Sequence, residues 1–222
     1  MEGFRLSATS LGLLRDCPRC FWLDRLKHIT RPEGPKSSLP NGMDRVLKAH
    51  FDSFRGRAEL PPELKGADFD GVRLFQDQSA LERMRNWKTG LRVTGKDGST
   101  LIGALDDLLE KDGKFIPFDF KTKGKTATRE DALKYNLTQL DCYTLLLESN
   151  RMPTPGHGFL LFYSPQSVTR DNQICFEVQV MKLETDPVRA REVLNEAVKV
   201  LKGTIPEAAS GCKFCAFREI KL

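Results

Sequence analysis

Residues 101–123, with the sequence LIGALDDLLEKDGKFIPFDFKTK, constrain the fold of this chain more than any other stretch. Two apolar runs flank the central Asp112-Gly113, and Asp-Gly between such runs is a strong signal for a two-residue β-hairpin turn. The predicted strands also carry acidic residues, which a strand inside a sheet normally lacks. We therefore expect a β-hairpin that combines apolar packing with a cluster of charged side chains.

The charged residues of the predicted hairpin share one face of its second strand. Asp119 and Lys121 are two residues apart, so their side chains project together, while Phe118 and Phe120 point to the other face. Asp106, across the hairpin, can reach the same neighbourhood. Carboxylates beside apolar residues are costly unless they are paired. A divalent cation such as Mg²⁺, which favours oxygen ligands, would neutralise them.

The same residues also fit less specific arrangements. A surface hairpin could pair its acids with Lys121 and Lys123, because exposed ion pairs are common. Asp107 competes with Asp106, although strand alternation sends their side chains to opposite faces. Pro117 cannot donate a ladder hydrogen bond, so either full pairing begins after Pro117 or a bulge lies there.

The composition is that of an ordinary globular protein. Of the 222 residues, 40% are hydrophobic and 29% are charged. The sequence contains no run of about 18 apolar residues that would predict a membrane helix, and its N-terminus lacks the apolar core of a signal peptide. We therefore expect a cytoplasmic protein with no membrane partner. The net charge of +5 permits a polyanionic partner without requiring one.

The rest of the sequence alternates predicted helices and strands. Ser7 is a candidate N-cap for a first helix, and residues 30–42, with three prolines, are predicted to form an irregular loop. The later predicted helices are Met43–Phe54, Ser79–Lys88, Arg129–Ser149 and Asp186–Lys202. The further predicted strands are Leu91–Thr94, His157–Tyr163 and Gln173–Leu183. The first of these strands would join the hairpin in a three-stranded meander, within a single α/β domain over residues 1–222 that has a mixed sheet.

Two predicted helices carry residues with more than one plausible role. His50 lies on the apolar face of the helix Met43–Phe54, where it is either a core histidine with a satisfied hydrogen bond or a metal ligand. The helix Ser79–Lys88 is basic, and charged faces of this kind are usually solvated. Its alternative role is to contact backbone phosphates through residues Arg83, Arg85 and Lys88, while the aromatic ring of Trp87 stacks on a base.

Four of the six cysteines form two Cys-x-x-Cys pairs, one near each end of the chain. They are Cys17, Cys20, Cys212 and Cys215. In a reducing cytosol such pairs are typical of metal ligands, and a four-thiolate site takes zinc or an iron–sulfur cluster. The alternative is four unrelated thiols. The pairs are almost a full chain apart, so a shared metal would join the N- and C-terminal segments. The remaining two cysteines lie in apolar sequence and are predicted to be buried thiols: Cys142 and Cys175.

Three short motifs follow one another along the chain in a recognisable order. They are Gly103-x-x-Asp106, Asp119-x-Lys121 and Gln139-x-x-x-Tyr143. In this order they resemble the RecB-like branch of the PD-(D/E)XK nuclease superfamily, which includes CRISPR adaptation nucleases. The resemblance covers most of the chain. It implies a restriction-endonuclease-like core, with a mixed central sheet flanked by helices, and hydrolysis of DNA phosphodiester bonds with Mg²⁺ or Mn²⁺.

The resemblance also implies roles for individual residues. The metal would be held by Asp106, Asp119 and the backbone carbonyl of Phe120. His50 has the same place in the order of motifs as a histidine that ligates the metal in that family, and Asp44 is the alternative ligand. Lys121 would orient or deprotonate the attacking water. From the following helix, the residues that would contact the scissile phosphate or strand are Gln139 and Tyr143.

The cofactor and the partners follow from the same resemblance. Related nucleases join their chain ends through a [4Fe–4S] cluster, usually with one cysteine early and three late, whereas this chain has two and two. The resemblance implies a [4Fe–4S] cluster, and the departure from the usual cysteine pattern keeps structural Zn²⁺ as the alternative. The implied substrate is DNA, as single strands or ends, and the implied partners are a CRISPR integrase or repair proteins. Two other functions fit the same residues: a catalytically weak DNA-binding accessory subunit, or a scaffold inside a larger complex.

Overall fold

The computed structural model describes residues 3–32 and 38–219, and this part of the chain contains seven α-helices and eight strands. The helices are α1 Ala8–Asp16, α2 Pro18–Lys27, α3 Ser38–Arg55, α4 Gln78–Arg85, α5 Arg129–Ser149, α6 Pro187–Lys202 and α7 Lys213–Glu219. The strands are β1 Arg5–Ser7, β2 Arg73–Leu74, β3 Leu91–Thr94, β4 Thr100–Gly103, β5 Asp107–Lys111, β6 Lys114–Thr122, β7 His157–Val168 and β8 Ile174–Glu184. The fold is therefore mixed α/β, as predicted.

The described strands form two sheets rather than one. The smaller sheet has the order β1-β4-β3, and the larger has the order β2-β5-β6-β7-β8. The predicted three-stranded meander is wrong, because β3 and β4 pair with each other while β5 and β6 belong to the other sheet. The chain passes from one sheet to the other at residues 104–106, which include Asp106. This crossing places the first acid of the predicted site at the junction of the two sheets.

The predicted hairpin turn is confirmed. Lys111 pairs with Lys114, so the turn has two residues, Asp112 and Gly113. Both have positive φ angles, of 50° and 72°, as a type I′ turn requires. Pro117 lies inside β6 opposite Leu108 without a register shift on the β5 side, and parallel pairing with β7 begins immediately after it. Of the two alternatives for Pro117, the bulge is therefore absent, and pairing on both sides of β6 at once begins only after this residue.

Alternation along the central strands divides the core into two apolar layers. Phe118 and Phe120 of β6 pack against Phe51 of α3, with ring centroids 5.3 and 4.8 Å away, as expected for the face opposite Asp119. On the other side of the sheet, Leu160 of β7 belongs to the layer that includes the buried face of α5. The strand β6 therefore separates an aromatic layer on one side from α5 on the other.

The helix α5 has the predicted bounds. Thr128 caps its N-terminus by accepting a hydrogen bond from the backbone N–H of Asp131 at 3.1 Å. One face of the helix is buried against the sheets over several turns. The close approach requires a glycine in β4, because a Cβ atom on Gly103 would lie 2.4 Å from the side chain of Leu146. The glycine of the Gly-x-x-Asp motif thus allows α5 to pack beside the acidic residues.

Other predictions differ from the structure in detail. The helix α3 includes residues 38–42, which were predicted to belong to a loop, and residues 33–37 of that loop lie outside the described part of the chain. Cys142 is buried as predicted, but Cys175 is exposed near the start of β8, so its predicted burial is wrong. Among the described helices, none is long and apolar enough to cross a membrane.

Candidate active site and four-cysteine site

Asp106 lies in the bend between β4 and β5, where it faces β6. Its Oδ2 atom accepts a hydrogen bond of 3.3 Å from the backbone N–H of Phe120. Its Oδ1 atom is 2.9 Å from Nζ of Lys48, a residue of α3 that the sequence interpretation did not identify. The same ammonium group is 2.8 Å from Asp44. One cation therefore bridges two carboxylates at this position.

Asp119 is buried in the middle of β6, with 1% of its surface exposed. Its Oδ1 atom accepts a hydrogen bond of 3.1 Å from the side-chain amide of Gln139. Its Oδ2 atom contacts the ammonium group of Lys121, as the same-face prediction requires. Gln139 therefore holds one oxygen of Asp119, and Lys121 pairs with the other.

The charges of the acidic centre perturb one another. Burial and the negative charge of Asp106 together raise the pKa of Asp119 to about 7, and the charge of Lys121 opposes this rise. Burial alone would lower the pKa of Lys48, but the carboxylates of Asp106 and Asp44 outweigh it and raise that pKa. An additional cation at this centre would relieve the repulsion between the two acids.

Gln139 and Tyr143 of α5 connect the acidic centre to the neighbouring sheet. The Gln139 carbonyl oxygen accepts a hydrogen bond of 2.9 Å from Lys121, and its amide donates one of 2.6 Å to the Tyr143 hydroxyl. Tyr143 in turn donates to the carbonyl of Ala104 at 2.9 Å. Burial raises the pKa of Tyr143 well above its usual value, and the charge of Asp119 adds to this effect. Gln139 is therefore hydrogen-bonded to Lys121, Asp119 and Tyr143 at once.

His50 has its own partner in the structure. Its Nε2 atom is 3.1 Å from a carboxylate oxygen of Glu63, and its ring meets the rings of Phe51 and Phe54 at their edges. Lys48, from the same helix, is the residue that contacts Asp106. The metal-ligand role of His50 stays a prediction.

Asp107, the rival of Asp106 in the sequence, lies in a separate and fully buried environment. It accepts hydrogen bonds from Arg55 at 2.6 Å and from Arg85 at 3.1 Å. Burial raises the pKa of Asp107, and the two guanidinium groups oppose this rise. Arg85 also pairs with Asp52 at 2.8 Å, so this part of the predicted basic helix stabilises the interior of the protein rather than facing solvent.

An open cleft with a volume of about 580 Å³ runs beside the acidic centre. Its wall includes Asp106, Gln139 and Tyr143, and the opposite side is formed by β1 and the start of α1. Cations and an aromatic ring also line it: Arg5, Arg25 and Trp87. The acidic centre is therefore accessible from solvent through a partly basic cleft.

The four paired cysteines also lie close together, but unlike the acidic centre they are mostly buried. The Sγ atoms of all four lie within 4.8 Å of one another. Three of the Sγ–Sγ separations are 3.6 Å between Cys20 and Cys215, 3.7 Å between Cys20 and Cys212, and 3.8 Å between Cys17 and Cys215. The predicted convergence of the two chain ends is confirmed, and the group is one that could hold a metal ion.

The surroundings act unequally on the cysteines, because hydrogen bonds favour the thiolate of Cys17 whereas burial raises the pKa of Cys20 and of Cys215. The backbone N–H of Ala209 donates to the Sγ atom of Cys17 at 3.4 Å. Burial opposes ionisation of Cys17, but the hydrogen bond from Ala209 and other hydrogen bonds outweigh the effect of burial. They lower the pKa of Cys17 to about 7. A guanidinium nitrogen of Arg31 lies 3.9 Å from the Sγ atom of Cys212. Thiolates are the form of cysteine that binds metals.

A comparison with models of protein families identifies the superfamily of the chain. A sequence profile of the PD-(D/E)XK nuclease superfamily matches residues 5–220. No curated protein matches the sequence. Among solved structures, the crystal structure of SSO0001 is similar at 15% sequence identity and a TM-score of 0.48, over 99% of this chain and 86% of that chain. Because the profile covers nearly the whole sequence, the chain belongs to the PD-(D/E)XK nuclease superfamily.

Proposed function

We propose that the protein is a metal-dependent deoxyribonuclease of the RecB-like branch, which hydrolyses phosphodiester bonds in single strands or at DNA ends. The observation that carries this proposal is the convergence of two carboxylates with Lys121 beside an open cleft. Superfamily membership supports a metal-dependent nuclease, and the Gln139-x-x-x-Tyr143 motif supports the branch. A place beside a CRISPR integrase or among repair proteins follows from that resemblance alone.

The donor set of the acidic centre fits Mg²⁺ or Mn²⁺. Both ions prefer oxygen ligands, and two carboxylates converge at this centre, where burial and the negative charge of Asp106 raise the pKa of Asp119. The residues that would hold the ion are Asp106, Asp119 and the backbone carbonyl of Phe120. When bound, the ion supplies Lewis acidity that stabilises the charge developing on the scissile phosphate.

A further oxygen ligand is better supported at Asp44 than at the nitrogen of His50. Asp44 and Asp106 share the Lys48 ammonium group, so the two carboxylates are already drawn together. His50 instead contacts Glu63. A site made only of oxygen ligands also agrees with the preference of Mg²⁺.

Lys121 is placed to act on the attacking water. Its ammonium group contacts Asp119 and donates to the carbonyl oxygen of Gln139 at 2.9 Å, which fixes its position at the centre. An ammonium group has three N–H donors, so it can also donate a hydrogen bond that orients the attacking water molecule. Gln139 and Tyr143 use their polar atoms on other site residues, so we assign them a positioning role.

The four-cysteine site holds a structural metal in this proposal. Metal–sulfur bonds of about 2.3 Å in a tetrahedral zinc site give sulfur–sulfur edges of about 3.8 Å. Three of the separations here are 3.6–3.8 Å and all of them are within 4.8 Å, which favours a single zinc ion. The predicted [4Fe–4S] cluster is the alternative, and its four irons and four sulfides require more space between the thiolates.

The test of the proposed function is cleavage of end-labelled single- and double-stranded DNA by the purified protein, with Mg²⁺, with Mn²⁺ or with a chelator. We expect products only when a divalent ion is present. The matched variants are Asp119→Asn, which should be inactive, and Asp68→Asn, a change at an exposed acid paired with Lys182, which should be fully active. Absence of cleavage under every metal condition would refute the nuclease and favour the accessory DNA-binding role.

A further inference from the structure

We propose that Trp87 is a stacking platform for an unpaired base of single-stranded DNA, with Arg5 and Lys88 beside it to hold the adjoining phosphates. This inference rests on the proposed function and names its substrate as a strand with free bases. It assigns a binding role to residues that lie outside the three sequence motifs. Three features of the structure carry it: the exposure of the ring, the flanking cations and the position in the cleft.

The ring of Trp87 is exposed in a way that the other tryptophan is not. Trp87 retains 62% of its accessible surface. Trp22, the second of the two tryptophans in the chain, is partly buried, and its indole N–H donates to the carbonyl of Gly203 at 3.2 Å. Removing the apolar surface of a large aromatic ring from water lowers the free energy. An exposed ring lacks this gain until a ligand covers it.

Two cations lie over the exposed ring at cation–π distance. The guanidinium carbon of Arg5 lies 5.7 Å from the ring centroid, and Nζ of Lys88 lies 5.5 Å from it. Within residues 3–32 and 38–219, no carboxylate forms an ion pair with Arg5. Its charge is therefore available to an external anion. A base stacked on an aromatic ring with cations beside it is the usual arrangement by which proteins hold single strands.

The platform opens into the cleft that contains the acidic centre. Arg5 and Trp87 line the same cleft as Asp106 and Gln139, and its volume of about 580 Å³ is within the range for ligands of nucleotide size. A strand whose base covers Trp87 would therefore extend toward the carboxylates. Duplex DNA cannot bind in this way, because its bases are already stacked and paired.

The two tryptophans allow a direct spectroscopic test. The Trp22→Phe variant leaves Trp87 as the sole indole fluorophore, and the Trp87→Phe variant leaves Trp22 as the matched control. We expect single-stranded oligonucleotides, added in chelator to prevent cleavage, to quench Trp87 strongly and Trp22 little. An abasic oligonucleotide of the same length should quench neither, because it keeps the phosphates but lacks the bases.

Affinity measurements on a labelled oligonucleotide give an independent readout that needs no fluorescence from the protein. Trp87→Ala should weaken binding about tenfold or more, and Trp87→Phe should recover most of the loss, because stacking needs an aromatic ring. In cleavage assays Trp87→Ala should raise KM and leave kcat near the wild-type value. Arg5→Gln should reduce the slope of log affinity against log salt concentration by about 0.7, the value for one phosphate contact on a single strand.

The outcomes separate this inference from the proposed function. If the protein cleaves DNA but Trp87→Ala binds and cleaves single strands as the wild type does, the stacking platform is refuted and the nuclease stands. Equal quenching of Trp87 by the abasic oligonucleotide, or by duplex DNA, also refutes the platform. If quenching and the Trp87→Ala affinity loss occur in a protein that never cleaves DNA, the platform stands and the nuclease is refuted.

Discussion

The acidic centre and the four-cysteine site are both suited to metals, yet their construction differs. The acidic centre uses carboxylate oxygens from β6 and from the bend before β5, and it borders an open cleft. The four-cysteine site uses thiols from the two ends of the chain, and three of these four residues are buried. Oxygen ligands leave Mg²⁺ positions for water and substrate, whereas four thiolates close the coordination of zinc.

This difference assigns separate work to the two sites. An open centre can exchange ligands and so carry out chemistry, but its buried carboxylate is costly to the fold. A closed site has no position for substrate, and its binding energy contributes to folding. Damage to the acidic centre should therefore remove activity without removing stability, and damage to the cysteines should do the reverse. The following predictions test that separation, from the largest expected effect to the smallest.

Asp119→Asn should lower kcat for DNA cleavage by about 1,000-fold or more, which exceeds the loss from one stabilising hydrogen bond. The melting temperature at pH 8 should be unchanged or higher. Burial raises the pKa of Asp119 above that of the unfolded chain, so the ionised group destabilises the folded state as the pH rises through about 7. Kinetics and thermal unfolding on one preparation check both parts. A fall in melting temperature that accounts for the lost activity would contradict the separation.

Cys212→Ser should lower the melting temperature by about 10 °C or more, because a closed metal site contributes several kcal/mol to folding. The cleavage rate per folded molecule should stay close to that of the wild type. Differential scanning calorimetry and metal analysis measure the effect. Cys175→Ser is the matched control, since Cys175 is exposed and lies outside the group of four. Full stability in Cys212→Ser protein that has lost its metal would refute the structural role.

Gln139→Leu should lower kcat by about 10–100-fold, with a smaller change in KM. The Gln139 amide is hydrogen-bonded to both Lys121 and Asp119, and loss of positioning in an active site has effects of this size. Comparison of Gln139→Leu with Gln139→Glu separates the two contacts, because Glu restores a hydrogen-bond acceptor for Lys121 but no donor for Asp119. We expect a higher kcat in the Glu variant. Equal kcat for the Leu and Glu variants would show that the contact with Lys121 contributes nothing.

Asp44→Asn should weaken Mn²⁺ binding by about tenfold, the size expected when a group that supports a metal site is removed. His50→Ala should weaken it less, because His50 contacts Glu63 while Asp44 shares a cation with Asp106. Titration of each variant with Mn²⁺ ranks the two residues. A larger loss in His50→Ala, without a fall in melting temperature, would restore the histidine as the ligand.

Local signals in the sequence account for the features that were predicted correctly. The Asp112-Gly113 turn depends on two neighbouring residues, and the bounds of Arg129–Ser149 follow from a cap and an apolar period. The alternation of Asp119 with Phe118 and Phe120 follows from strand geometry. The four cysteines could be grouped because two short spacings matched the needs of a single metal.

Contacts between distant residues account for what was missed. The strands β4 and β5 belong to different sheets, and nothing within residues 101–111 indicates this separation. Lys48 resembles any surface lysine until α3 brings it to Asp106. Arg55 is 52 residues from Asp107, so their buried ion pair has no local pattern. Such contacts become visible only when the elements are placed in three dimensions.

The central claim is that the acidic centre binds the catalytic ion independently of the four-cysteine site. Electron paramagnetic resonance of added Mn²⁺ on wild-type and Asp119→Asn protein tests this claim most directly. DNA cleavage and the metal content of the four-cysteine site are measured on the same preparations. We predict that Asp119→Asn loses the bound Mn²⁺ and the cleavage together, while the cysteine-bound metal stays at the wild-type level. Unchanged Mn²⁺ binding in Asp119→Asn, or cleavage that persists without bound Mn²⁺, would contradict the account.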